Sequence, residues 1–413
     1  MSLLLNTSLV VTPTVYNAGT LFGIVPTDPS SNNADFTVTR ATTKTRINSV
    51  GLIETIAIDT PSIDYSLGGC PNILLEPQRT NLFLRSEEFN TTWSQIAGSV
   101  TANATTSPSG SIDADRFTGN GASTNHRLIQ AVTLTSGSTY TVSCYVKKDT
   151  NDFFQYYLLS GEFGANAWAN FDVNNGVLGT TGSAASARIT DAGDGWYRCS
   201  ITATAINSGS SGINFTLISS ATSVRAETNS LSTSLFFWGA QFELGAYATS
   251  YIPTTSASVT RNADVISRGN IFTNGLITAS GGTWFVDLRD NRTIIRDTFA
   301  ALSIFQTSAT TNSFVFFNHS SGAGGRIQIS KFISGTPTTL YTTTSNTSKI
   351  AIKWNGTTAD IFENGVKVVS ATAFTTTNMD SLTGGSGLRA TINSMTLAPI
   401  PLTDDQCIEL TTL

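Results

Sequence analysis

Three pairs of carboxylates are the residues of this sequence best suited to catalysis. The pairs are Glu87 with Glu88, Asp113 with Asp115, and Asp191 with Asp194. Glycoside cleavage needs two carboxyl groups, one of which donates a proton while the other acts as base or nucleophile. Each pair lies in a Gly- and Ser-rich turn or at the start of a domain, where acidic residues commonly cap turns. The pattern therefore favours a structural role for all three pairs.

Histidine and cysteine are too few for the common metal and nucleophile sites. His126 and His319 are the two histidines, which provide no ligand set for zinc and little basis for a histidine-dependent triad. The four cysteines are far apart and lack a C-x-x-C spacing: Cys70, Cys144, Cys199 and Cys407. They fit four buried thiols of a protein made in a reducing cytoplasm, while a Cys144–Cys199 bridge between two strands of one sheet stays open.

Composition excludes several classes of protein. Only 12% of the residues are charged, and the net charge is −5 without basic clusters, so nucleic-acid binding has no electrostatic basis. The N-terminus lacks the pattern of a signal peptide, and no stretch approaches the roughly eighteen apolar residues of a membrane span. We therefore expect a soluble protein without membrane insertion, and its abundant Thr, Ser, Asn and Gly indicate a turn-rich, all-β chain.

The elements that would position these residues fall into three segments. Residues 1–80 contain short apolar runs between Pro, Asn and Gly clusters, which predict thin strands that depend on partner subunits. Residues 81–268 contain longer alternating strands, and in residues 139–148 the alternation places Tyr140, Val142, Cys144 and Val146 on one face. Residues 269–413 repeat this theme. The sequence predicts an all-β protein in which tandem antiparallel β-sandwiches, or jelly rolls, follow a short β-rich N-terminal attachment region.

Two resemblances appear around the middle segment. NLFLRSEEFNTTW, residues 81–93, and the later strands near 140–148, 195–200 and 236–244 resemble carbohydrate-binding-module-like jelly rolls of the galactose-binding-like fold. GCPNILLEPQRTNL (69–82), GAQFELG (239–245) and ATSYIPT (248–254) resemble stretches that recur in structural proteins of tailed bacteriophages. The first resemblance implies a sugar-binding sandwich, and the second implies a virion protein.

The last segment resembles a different sandwich. KIAIKWNGTTADIFENGVKVV, residues 349–369, predicts strands joined at Asn355-Gly356 and at Asn364-Gly365, and it resembles the core of concanavalin-A-like and laminin-G-like domains. Residues 392–410 predict a closing strand and a short helix capped by Thr403 or Asp404. Concanavalin-A-like glucanases carry a Glu-x-Asp-x-x-Glu strand that this sequence lacks, and this difference favours a protein that is not an enzyme.

The jelly-roll resemblance also implies a glycan-binding platform. Sugar sites on such folds use exposed aromatic rings that stack on pyranose faces, together with polar groups that bind hydroxyls. The candidate residues are Trp93, Gln155, Tyr157, Asn166 and Trp168. The structural alternative is that alternating aromatic residues of these strands belong to the core.

Calcium is the one cofactor that the resemblances imply, because both sandwich families often hold a structural ion between loops. Asp287, Asp290 and Asn291 offer the oxygen ligands that calcium prefers. The interleaved Arg289 and Arg292 are competing ion-pair partners for the same carboxylates.

The resemblance to phage structural proteins implies a virion structural protein of a tailed bacteriophage, displayed on the particle exterior after assembly in the host cytoplasm. Its N-terminal region would attach to other virion proteins of the capsid or tail, and its sandwiches would meet host surface polysaccharide as a fibre or adhesin. The resemblance implies a homotrimer, which would cover exposed strand edges. The alternatives are a purely structural decoration protein and, less favoured, a polysaccharide depolymerase.

Overall fold

The computed structural model describes residues 7–28, 30–289, 302–305, 313–318, 327–333, 336–343, 348–374, 379–385 and 390–412. Nearly all secondary structure in these ranges consists of strands, and the named strand pairs are antiparallel. The predicted all-β fold with sandwich architecture is confirmed.

The strands are short at the N-terminus and lengthen after residue 98. The first eight are β1 (Leu9–Val11), β2 (Tyr16–Asn17), β3 (Thr20–Leu21), β4 (Phe36–Thr39), β5 (Lys44–Ile47), β6 (Ile53–Ile56), β7 (Ile63–Asp64) and β8 (Asn72–Leu75). The next fourteen are β9 (Arg79–Asn81), β10 (Ser94–Ile96), β11 (Gly98–Thr106), β12 (Ile112–Gly119), β13 (Arg127–Leu134), β14 (Thr139–Lys148), β15 (Phe153–Leu158), β16 (Trp168–Asp172), β17 (Val177–Thr181), β18 (Ser186–Asp191), β19 (Trp196–Thr204), β20 (Gly209–Leu217), β21 (Ser234–Leu244) and β22 (Val259–Arg261).

The remaining described elements include the two α-helices. The strands are β23 (Val265–Gly269), β24 (Gly282–Arg289), β25 (Leu302–Phe305), β26 (Ser313–Asn318), β27 (Ile327–Ile333), β28 (Thr336–Thr342), β29 (Ser348–Trp354), β30 (Thr358–Glu363), β31 (Val366–Ala373), β32 (Ser381–Gly385) and β33 (Ala390–Ala398). The helices are α1 (Ser160–Phe163) and α2 (Asp404–Thr412), with a single 3-10 turn at Asn32–Ala34. Neither α-helix has the length and apolar character needed to span a membrane.

The described residues group into two compact units. One unit contains the described parts of 1–49, 55–78 and 262–413, and the other contains 50–54 and 79–261. The sequence divided the chain at residues 80 and 268 into three consecutive segments, whereas these contacts join the first and last segments in one discontinuous unit.

The discontinuous unit is a sandwich of two large sheets. One sheet has the order β31-β30-β29-β24-β33-β8-β7, with β1 also paired to β33, and the other has the order β2-β3-β4-β23-β32-β25-β26-β27-β28. Trp284 and Ile352 of the first sheet and Phe36 and Leu382 of the second are all buried in one apolar core. Burial of each large side chain contributes roughly 1.5–3 kcal/mol, which holds the sheets together.

The N-terminal strands complete the sheets of this unit. In the register, Leu9 of β1 lies opposite Leu397 of β33, and Val38 of β4 lies opposite Ile266 of β23. Strands β23 and β33 of the same chain thus pair with these thin strands, and the expected dependence on partner subunits stays a prediction.

The other unit is a sandwich of two six-stranded sheets. Their orders are β10-β13-β20-β15-β16-β17 and β11-β12-β21-β14-β19-β18. Phe154 and Phe215 from the first sheet meet Val142 and Phe237 from the second in a buried core. The predicted face of β14 points into this core, since Tyr140, Val142, Cys144 and Val146 all belong to it.

The hairpins and the closing helix of the last segment are confirmed. β29 and β30 are joined around Asn355-Gly356, and β30 and β31 are joined at Asn364-Gly365, where Asn364 has a φ of 49°. Thr403 caps helix α2: Thr403 Oγ1 accepts from the Gln406 backbone N–H at 3.2 Å, and Gln406 Oε1 accepts from the Thr403 N–H at 2.9 Å. The buried Cys407 and Leu402 pack against Phe285 on the outer side of β24.

Candidate functional site

Three of the five predicted glycan-contacting residues share one face of a sheet. Tyr157 of β15 lies directly opposite Trp168 of β16, and Gln155 lies opposite Asn170 two residues away. Because side chains alternate along a strand, residues 155 and 157 project to the same side, and their opposite neighbours project with them. This side is the outer one, since Phe154 and Tyr156 point into the core. Asn166 precedes β16 by two residues.

A segment that we call the covering segment, residues 219–229, lies over part of this outer face. Gln155 is fully buried under it. Its Nε2 donates to Asn170 Oδ1 at 2.7 Å and to the Val224 carbonyl at 3.0 Å, and its Oε1 accepts from the Ala226 N–H at 2.7 Å. The prediction that Gln155 contacts a glycan is therefore corrected, because its amide holds the covering segment in place.

Trp93 is a second correction. The side chain is 3% exposed and lies between the two sheets, with ring centroids 4.9 Å from both Phe83 and Phe89 and 5.0 Å from Phe215. Its indole N–H donates to the Arg85 carbonyl at 3.2 Å. A ring enclosed in this way stabilises the core and offers no face to a sugar.

Tyr157 lies at the boundary between the covered and open parts of the face. It is 3% exposed, and its hydroxyl accepts from Arg127 Nη1 and donates to Asn125 Oδ1 at 3.2 Å. The guanidinium carbons of Arg127 and Arg225 lie 5.7 and 4.9 Å from its ring centroid. Burial raises the pKa of Tyr157, and the two guanidinium groups partly offset this shift. Its ring is not available for stacking, so its predicted role as a stacking platform is also corrected.

Asn166 and Trp168 remain open to solvent. Asn166 is exposed and Trp168 is partly exposed. Within the described residues, the Trp168 indole N–H has no hydrogen-bond acceptor, and it lies so close to Gly182 that a Cβ there would come within 2.7 Å of Nε1. These two residues are the part of the predicted platform that a glycan can reach.

The sequence reasoning missed Arg225 and gave Arg127 no role. Arg127 starts β13, in which Leu128 points into the core, so the alternation already places Arg127 on the outer face. Arg225 belongs to the covering segment, and no local pattern predicts that it comes to lie beside Tyr157. His126 is fully buried and bonds the Ala97 and Asn229 carbonyls through its two ring nitrogens.

Two of the three carboxylate pairs come together in the structure. Burial raises the pKa of Glu87, a hydrogen bond from Tyr251 lowers it, and the charges of Asp113 and Glu88 raise it further. Burial and the charges of Glu88 and Asp113 likewise raise the pKa of Asp115, against two backbone hydrogen bonds. The two pairs therefore form one electrostatically coupled group, the carboxylate cluster (Glu87, Glu88, Asp113 and Asp115).

The members of the carboxylate cluster differ in their partners. Asp115 accepts from the backbone N–H groups of Phe89 at 2.8 Å and Asn103 at 3.0 Å, and Glu88 pairs with Arg85 at 2.9 Å. Asp113 Oδ1 is buried and has no hydrogen-bond partner in the described part of the chain. Within the described residues, Glu87 and Asp113 are thus the members that accept from no backbone N–H group and pair with no cation.

The third pair and the calcium candidates have other roles or locations. Asp191 accepts from the Gly193 N–H at 2.8 Å and Asp194 pairs with Lys147, as expected for turn residues. Asp287 is buried, pairs with Arg289 at 2.7 Å and accepts from Asn393 Nδ2 at 3.0 Å. Asp290 and Asn291 lie outside the described residues. In the described ranges, no group of three His, Cys, Asp or Glu side chains is arranged to hold a metal ion.

Comparison with known proteins adds little to this geometry. No protein-family model matches the chain, and no curated protein matches it either. Among solved structures, the chain is similar to a mutant of the GH43 protein BlXynB from Bacillus licheniformis. The identity is 10%, the alignment covers 93% of this chain and 85% of that chain, and the TM-score is 0.22.

This match corrects the expectation that the protein is not an enzyme. A likeness with this TM-score transfers no site and no activity to this chain. A catalytic function must be argued from the chain's own carboxylates.

Proposed function

We propose that this chain is a virion structural protein of a tailed bacteriophage, a fibre or adhesin-like appendage that binds host surface glycans. The observation that carries the binding function is the pair of the partly exposed Trp168, at the start of β16 on the outer sheet face, and the exposed Asn166, which precedes it by two residues. An indole ring with an unpartnered N–H next to an exposed amide offers both stacking and hydrogen bonds to a sugar.

The virion assignment rests on three sequence stretches, 69–82, 239–245 and 248–254, that resemble phage structural proteins. The Asn81 side chain of the first stretch connects all three, because its Nδ2 donates to the backbone carbonyls of Ala240 at 3.0 Å and Ile252 at 2.8 Å. The three stretches therefore act together as one structural feature, which supports reading them as a single recurring motif.

The proposed assembly is a homotrimer attached to other virion proteins through the N-terminal region. Sedimentation equilibrium of the purified chain tests this directly. We expect a mass three times that of one chain, and a concentration-independent monomer would contradict the trimer.

Glycan binding is tested with the full chain on a glycan array and on host cells, next to Trp168→Ala. We expect saturable binding that Trp168→Ala weakens about tenfold or more, since stacking and one hydrogen bond are lost. Leu178→Ala, an exposed apolar change on β17, is the matched control and should bind normally. Absence of binding to any glycan or host cell would favour a purely structural capsid or tail decoration protein.

Polysaccharide cleavage is the second candidate, and the carboxylate cluster favours it. Two neighbouring carboxyl groups, one of which has a raised pKa, are the arrangement that serves as general acid and base in glycoside hydrolysis. Glu87 would be the acid and Asp113 the base.

The test for cleavage is release of reducing ends from host polysaccharide. Glu87→Gln and Asp113→Asn should each abolish release while glycan binding persists, and Asp191→Asn, in an exposed turn, should not affect it. Release that is unchanged in both cluster variants would exclude this site.

A further inference from the structure

Two arginines beside Tyr157 lack acidic partners in the described part of the chain. Arg127 Nη1 donates to Asn125 Oδ1 at 3.0 Å and to the Tyr157 hydroxyl, and Arg225 Nη2 donates to the Leu158 carbonyl at 2.8 Å. Neither forms an ion pair with a described carboxylate. The Nε atoms of both are buried without a hydrogen-bond partner.

Within the described residues, most N–H groups of these two guanidinium groups have no acceptor. A guanidinium carries five N–H donors in a planar fork that matches a carboxylate, and these two use few of theirs. Both side chains are partly exposed, so an acceptor from solution can reach them. Partly desolvated cations of this kind bind anions more strongly than fully solvated ones do.

The acidic residue of the covering segment does not neutralise these arginines. Glu227 accepts from the Ser219 N–H at 2.7 Å, from Ser219 Oγ at 2.6 Å and from Asn229 Nδ2 at 3.0 Å. Its carboxylate is therefore bound within the covering segment itself, and its backbone carbonyl accepts from Asn125 Nδ2 at 3.0 Å.

The position of the arginines next to Trp168 indicates which anion fits. Tyr157, which both guanidinium groups contact, is the direct cross-strand neighbour of Trp168. Cross-strand neighbours have Cβ atoms about 5 Å apart, so a ligand of sugar size can span the arginines and the indole ring. The net charge of −5 disfavours binding of polyanions elsewhere on the surface.

We propose that Arg127 and Arg225 bind the carboxylate of an acidic sugar whose ring stacks on Trp168. This inference rests on the proposed glycan-binding function and names its ligand class: polysaccharides that contain uronic or sialic acids. The covering segment contributes to the site because it supplies Arg225.

The experiment compares the full chain with Arg225→Gln and Arg127→Gln on an array of acidic glycans, their methyl-esterified counterparts and neutral glycans. We expect binding to the acidic glycans only, weakened roughly tenfold or more by either variant, because a charge-assisted hydrogen bond is lost. Arg188→Gln, an exposed arginine on β18, is the matched control and should bind like the unchanged protein. Arg225→Lys should recover part of the binding, and equal melting temperatures show that the variants are folded.

Four outcomes would overturn the inference, and the first two leave the proposed glycan-binding function standing. Binding that Trp168→Ala weakens but neither arginine variant changes would remove the acidic-sugar site and leave glycan binding intact. Equal binding to acidic glycans and to their methyl esters would do the same. Arginine-dependent binding of polyphosphate with no binding of acidic glycans would show an anion site for another class of ligand, and no binding to any glycan would refute both proposals.

Discussion

Asn81 shows how one residue of the resembling stretches organises its surroundings. It is fully buried, and besides its two donated bonds its Oδ1 accepts from the Phe83 N–H at 3.1 Å and the Phe242 N–H at 3.0 Å. The amide therefore satisfies four backbone groups of three chain segments that are far apart in sequence. Among side chains as short as this one, only Asn carries both an NH₂ group with two donors and a carbonyl oxygen that accepts.

We predict that Asn81→Ala lowers the free energy of unfolding by about 3 kcal/mol, because several buried backbone groups lose their partners. Chemical denaturation measures this change. Asn166→Ala, at an exposed position, is the control and should change stability by less than about 0.5 kcal/mol. Similar stabilities for both variants would contradict the structural role of Asn81.

Glu87 gives a pH-dependent prediction. Its pKa is raised in the folded protein, first by burial, so the folded state holds this proton more tightly than the unfolded state does. By linkage, the ionisation of Glu87 does not affect the free energy of unfolding at low pH. It lowers this free energy as the pH rises through the pKa of Glu87 in the folded protein. Glu87→Gln keeps the acceptor for the Tyr251 hydroxyl, which lies 2.9 Å from Glu87 Oε1, and removes the charge.

We therefore expect Glu87→Gln to be more stable than the unchanged protein at neutral pH and equally stable below the ordinary pKa of 4.5. Urea unfolding at a series of pH values checks this. The exposed Glu409→Gln is the control. A difference that stays constant with pH would show that burial does not shift this carboxyl group.

At the scale of elements, a buried ionic network ties together the two places where the chain leaves and re-enters the discontinuous unit. Asp264, just before β23, pairs with Arg40 at 2.8 Å and Lys44 at 2.6 Å, and Lys44 also pairs with Glu76 at 3.1 Å. Asp264 additionally accepts from the Glu76 N–H at 2.9 Å. All four side chains are at most 2% exposed.

We predict that Asp264→Ala destabilises the protein by about 3–5 kcal/mol, because two buried cations lose a common partner. Asp152→Ala removes the partly exposed pair with Lys148 and should cost less than about 1 kcal/mol. Thermal and chemical unfolding of both variants provide the comparison. Equal effects would mean that the network is solvated in solution.

At the scale of the whole molecule, the four cysteines show whether the chain contains disulfide bonds. Cys144 and Cys199 lie opposite each other in β14 and β19, yet all four cysteines are free, and three of them are buried. Of the two alternatives that the sequence left open for this pair, the structure has the reduced one. The predicted burial is wrong for Cys70, which is exposed.

We expect a thiol reagent to modify one cysteine in the native protein, Cys70, and all four after unfolding. Burial raises the pKa of Cys407 to about 12 and raises the pKa values of Cys144 and Cys199, so little thiolate is present to react at neutral pH. Cys70→Ser should abolish the native reaction. If only two of the four cysteines react after unfolding without a reducing agent, the other two form a disulfide, and the prediction of four free thiols is wrong.

Local patterns were sufficient to predict the elements. Alternation placed the core face of β14, the Asn-Gly pairs located the hairpins of β29 to β31, and the Thr403 capping pattern located helix α2. Each of these features depends on residues that are neighbours in sequence, so the backbone geometry of a few residues decides them.

The tertiary structure alone decided which elements meet and which side chains stay exposed. Alternation put Gln155 and Tyr157 on one face, but the covering segment, more than sixty residues later, buries them and leaves Trp168 open. The pairing of β1 with β33 and the approach of Glu87 to Asp113 likewise join distant parts of the chain. Such contacts depend on the packing of whole sheets, which no local pattern contains, and for this reason the sequence determined the class of fold while the structure determined the candidate site.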